Sequence, residues 1–246
     1  GEALPPPLVA TTSELDAVHL ALEPLDRAAT STLLAAALGG PVDGAAQREV
    51  WERSRGNALY LRELVLGAVE HGTFVEDGGL WRIAEPLAAT PRLAELVDAR
   101  LAGLTPAERQ VVELVAFGEP IVAPVVRMLG DEDALDAVLE RGLVVVDDEE
   151  LLRLAHPLYG EVLRATMPAL RALRVNRMLA DTAAASAGPL DDVDALRLAV
   201  WRLDGGGTGD PALLSRAAEQ AHIAHDDVLA ERLARAALQA GAGAEA

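Results

Sequence analysis

Apolar positions recur every three or four residues through most of this chain, and the stretches that break that rhythm are short. From Asp26 the pattern is helical: DRAATSTLLAAALGG offers Asp26 as an N-cap, runs through good helix formers and stops at Gly39-Gly40. The spacing predicts a second helix over Ala45 to Ser54 and a third over Leu59 to His71, ended by Gly72. Two segments carry strand character instead. TFVEDGGLWRI reads as a β-hairpin turning at Asp77 to Gly79, and LVVVDDEELLRLA as a strand, an acidic turn and a second strand. Upstream, the apolar run Val18 to Leu22, closed by Pro24, predicts a buried strand.

Between the two hairpins, after Pro86 and Pro91, lie RLAELVDARLAGL and PAERQVVELVAFG, the second opened by a capping box of Thr105 and Glu108. Two short helices follow, in VAPVVRMLG and DALDAVLERG, and helices closed by such a hairpin outline a winged helix. From His156 onward the pattern is helical to the end. The last two segments, PALLSRAAEQAHIA and DVLAERLARAALQAG, form a pair with Ala217, Ala221, Ala230 and Ala237 at helix-facing positions, as in TPR-like helix pairs. The expected fold class is mainly α, with a helical unit carrying a hairpin, a winged-helix unit and C-terminal helical pairs.

Composition sharpens this picture. Hydrophobic residues make up 51% of the 246 positions but aromatics only 3%, so Ala, Leu and Val must fill the cores by close helix packing. A formal charge of -18 repels phosphate backbones, and direct nucleic-acid binding by this segment is not expected. Every basic residue is Arg. Without Lys there is no P-loop lysine, and without Cys there is neither a disulfide nor a thiolate site. No apolar run reaches membrane-spanning length and no signal peptide is recognisable, so a cytoplasmic location is expected. The opening residues, GEALPPPLVATTSE, begin on Gly1 and read as the middle of a longer protein.

Few residues stand out as chemistry. Gly56-Asn57, in SRGNALYLREL, fits a turn that ends one helix and caps the next. His156, in RLAHPLYGEVL, fits a helix-start ring that packs and hydrogen-bonds locally. His222 and His225, near Asp226 and Asp227, have a spacing that shares a helix face, but no third ligand follows at a recognisable interval, and a metal site is not expected. His19 and His71 have no evident partner. LTPAERQVVELVAFGEP looks superficially like the first helix of a helix-turn-helix, but it continues into apolar and then acidic sequence rather than a basic recognition helix. No Ser-His-Asp set or carboxylate pair rises above the acidic background.

The order of these blocks resembles the region after the nucleotide-binding domain in the large ATP-binding LuxR-type transcriptional regulators, members of the STAND class of signal-transducing ATPases. LALEPLD looks like the last strand of their ATPase core, and SRGNALYLREL like their Gly-Asn-Pro-hydrophobic motif. GTFVEDGGLWRI, RLAELVDARLAGLTPAERQVVELVA and LAHPLYGEVLRA fit the later blocks. The resemblance implies the end of the nucleotide-binding domain over residues 1–24, a helical lid over 25–90, a winged-helix domain over 91–166 and a helical sensor arm over 167–246. It implies that Gly56 and Asn57 lie against the adenine and that His156 reaches the β-phosphate of ADP. Ala58 stands where the family usually has Pro, which removes a ring that could pack on the base. ATP or ADP with magnesium would bind an upstream domain, DNA a downstream one, and an inducer or protein the arm, so the segment itself would be no enzyme. A helical scaffold for protein partners, free of nucleotide control, is the alternative; an α-helical hydrolase lacks acid–base residues to run it.

Overall fold

In the computed structural model the described residues are 23–87, 89–185, 191–207 and 209–241. The strand expected over Val18 to Leu22 lies outside them. The chain is mainly α, with helices in the order α1 (Arg27–Leu38), α2 (Gly44–Ser54), α3 (Ala58–Glu70), α4 (Pro91–Leu101), α5 (Pro106–Gly118), α6 (Ala123–Leu129) and α7 (Glu132–Glu140). After them come α8 (Pro157–Thr166), α9 (Ala169–Ala185), α10 (Asp192–Asp204), α11 (Pro211–Ile223) and α12 (Asp227–Gln239). Strands β1 (Phe74–Asp77) and β2 (Leu80–Ile83) follow α3, β3 (Ile121–Val122) precedes α6, and β4 (Val144–Val146) and β5 (Leu151–Leu154) precede α8. They make two small antiparallel sheets. The described residues divide into two compact units, one taking those up to Pro106, Asp136–Val145 and Leu154–Ala165, the other Ala107–Leu135, Val146–Arg153 and those from Thr166 onward.

In the first unit, α1 to α3 enclose a core of Leu34, Val50, Leu61, Val65 and Phe74. Each helix begins where the sequence supplies a cap: Asp26 accepts from the Ala29 amide at 2.7 Å, and Asp43 from the Ala46 amide at 2.6 Å. The first hairpin pairs Phe74 with Ile83 and Asp77 with Leu80. Its two-residue turn is Gly78-Gly79, both at positive φ (62° and 80°), the geometry whose twist matches the flanking strands. Trp81 fixes the hairpin to the α1–α2 connection, donating to the Pro41 carbonyl and accepting from the Asp43 amide, each at 2.9 Å.

In the second unit α9, α10, α11 and α12 pack in succession, each on the next. Ala199, Leu214, Ala217, Ala221, Leu233 and Ala237 form their buried seam, with Ala230 partly buried against it. The small residues singled out from spacing thus let the last helices approach closely. Arg197 donates to the Gly118 and Pro120 carbonyls and Trp201 to the Phe117 carbonyl at 2.9 Å, so α10 grips the end of α5. Strand β3 pairs with β5 through Ile121 and Leu152. In the acidic turn, Asp147 accepts from Arg153 and from the Leu151 and Glu149 amides, which together hold its carboxyl below the usual range.

Candidate functional site

The site grows from the junction of α2 and α3. Ser54, the last residue of α2, is fully buried, and the chain then takes two left-handed steps, Arg55 (φ 47°) and Gly56 (φ 74°). The turn closes when the Asn57 amide donates to the Ser54 carbonyl at 2.8 Å. Asn57 then caps α3, its Oδ1 accepting from the amides of Leu59 (3.0 Å) and Tyr60 (3.2 Å). Only glycine fits at position 56. Its carbonyl accepts from the Leu25 amide at 2.9 Å, and a Cβ there would stand 2.1 Å from the Leu25 carbonyl oxygen.

His156, 102 residues further along, meets this turn at the same carbonyl: its Nε2 lies 2.9 Å from the Ser54 oxygen. The Leu158 amide lies 3.2 Å from Nδ1 and can only donate. Nδ1 is therefore the acceptor, and the ring is the neutral tautomer with its proton on Nε2, donated to Ser54. The Ser54 carbonyl thus receives two donors, one from each side of the junction. Tyr60 packs edge-on to the imidazole with centroids 4.5 Å apart, and Tyr159 lies at 5.8 Å. Burial pushes the imidazole pKa below its ordinary 6.5, the hydrogen bond to Ser54 opposes that, and the nearby Arg55 cation adds to it. His156 as a whole is 8% exposed.

One turn along α8, Glu161 pairs with Arg53 at 2.9 Å, and Arg53 also donates to the Leu87 carbonyl. Burial raises the Glu161 carboxyl above its ordinary range while Arg53 and Arg164 pull it back. Gly56, Asn57 and His156, named separately along the chain, are therefore brought to one junction. Their exposures differ: Asn57 and Ala58 face solvent, whereas Gly56 and His156 are buried. Chemically the junction offers a neutral N–H donor whose acceptor is a carbonyl and an exposed helix start at Ala58.

No protein-family model and no curated protein matches the chain. Among solved structures it is similar to a Signal Transduction ATPase with Numerous Domains (STAND) protein with a tetratricopeptide repeat sensor from Pyrococcus horikoshii. The identity is 15% and the TM-score 0.41; the match covers 89% of this chain and 31% of that one.

The remaining candidates are accounted for locally. Nδ1 of His222 is 3.2 Å from Asp227, both side chains exposed, while Asp226 is spent on capping α12 through the Leu229 amide. Among the described residues no three His, Asp or Glu side chains converge as metal ligands. The His71 ring bonds to the Gly67 carbonyl on its own helix at 2.7 Å, and His19 lies outside the described residues. Among the described residues no helix is long and apolar enough to cross a membrane. Sequence reasoning missed Leu25, Ser54 and the Arg53–Glu161 pair. Only Glu161, five residues past His156 on the helix that follows it, carried a signal in residue type; Leu25 and Ser54 act through backbone atoms.

Proposed function

We propose that this chain is a regulatory segment of an ATP-dependent, LuxR-type STAND regulator, made of helical lid, winged helix and the start of a TPR-like sensor arm. What supports the reading is the meeting of the Gly56-Asn57 turn and His156 at the Ser54 carbonyl, two elements far apart in sequence held by a single neutral donor. ADP or ATP with magnesium would be held by an upstream domain, and DNA by a downstream one. The segment would carry nucleotide state and inducer binding from one to the other in the cytoplasm, without chemistry of its own. The Nε2–H would exchange acceptors, from the Ser54 carbonyl to a phosphate oxygen, with Nδ1 still steadied by Leu158. Binding of labelled ADP by the longer parent protein tests this: His156→Ala should weaken ADP about tenfold, the scale of one charge-assisted hydrogen bond. Equal ADP affinity in both proteins, or no ADP binding in either, would leave the partner-binding scaffold as the better reading.

A further inference from the structure

A second cluster, apart from the histidine junction, lies within the other unit. Helices α5 and α9 line a groove of about 630 Å³, within the size range of small-ligand sites. Along α9 the residues Arg171, Arg174, Val175 and Met178 share one face, at the three- and four-residue spacing of a helix. Opposite them α5 presents Glu113 and Leu114. Glu113 is 3% exposed, and its two carboxylate oxygens are taken by different guanidiniums, Arg109 Nε at 3.3 Å and Arg171 Nε at 2.8 Å. The terminal amino groups of Arg171 and the whole guanidinium of Arg174 have no hydrogen-bond partner among the described residues. Among the lining residues two arginines stand against one carboxylate, a net positive charge in a chain whose formal charge is -18.

We propose that this groove binds a small amphiphilic carboxylate, the head on Arg171 and Arg174 and the apolar body along Leu170 and Met178. Guanidinium forks match a carboxylate in geometry, and Glu113 already occupies one such seat from inside. The surrounding acidity selects the occupant: a polyanionic segment meets long-range repulsion that a single carboxylate on an apolar body largely escapes. The inference does not depend on nucleotide control.

Equilibrium dialysis of labelled octanoate against the whole chain at low ionic strength and neutral pH tests it. Saturable binding is expected, weakened about tenfold or more by Arg174→Ala, with octanol failing to displace it. Arg174 is exposed and unpaired among the described residues, so circular dichroism should find that variant folded. Glu113→Gln, which removes the competing negative charge, should tighten octanoate binding. Absence of saturable binding, equal affinity in Arg174→Ala, displacement by octanol as strong as by octanoate, or tighter binding of a hepta-glutamate peptide would each overturn the proposal.

Discussion

Two residues at the junction make opposite demands on their surroundings. Gly56 is required by backbone geometry alone, because a left-handed φ and a Cβ 2.1 Å from the Leu25 oxygen cannot both be relieved without moving the chain. Gly56→Ala should therefore cost about 2 kcal/mol or more, read as a lower denaturant midpoint. His156 is held by chemistry. Its folded pKa lies below the unfolded value near 6.5, so as pH falls the unfolded chain takes up a proton that the buried ring resists. The stability it contributes is complete above about pH 6.5 and is lost progressively below it. Denaturant midpoints at pH 7.5, 6.5 and 5.5 should show the advantage of the native protein over His156→Gln shrinking toward acid; an advantage that grows toward acid would mean a ring charged in the native state.

At the scale of elements, caps and periodicity made the helices legible. Asp26 and Asn57 begin α1 and α3, Gly78-Gly79 turns the first hairpin, and Ala217, Ala221 and Ala237 line the last helix pair, all readable because local chemistry sets them. The start of α3 also gives Ala58 a clear meaning. It is the first helical residue after the cap, and Asn57 before it has an extended backbone (φ -71°, ψ 111°) that a following proline accepts. Ala58→Pro should stabilise the protein by about 0.4–1 kcal/mol by restricting the unfolded chain, visible as a raised denaturant midpoint. Destabilisation would show that the Ala58 amide carries a bond in the folded state.

For the molecule as a whole, the sequence pattern reached the fold class but not the pairing at the site. Nothing in residue type announces that Leu25 and Ser54 will offer backbone atoms to Gly56 and His156, because such contacts depend on how α8 returns to the α2–α3 turn. The same is true of Arg197, whose grip on the end of α5 spans nearly eighty residues. The proposed function requires the His156 junction to respond to nucleotide. Hydrogen exchange in a protein that joins this segment to the proposed nucleotide-binding domain, with ADP and then with a non-hydrolysable ATP analogue, reads this at the amides of Asn57, Leu59 and Leu158. Slower exchange at these amides with ADP than with the ATP analogue is the expected result; equal rates in both states would contradict it.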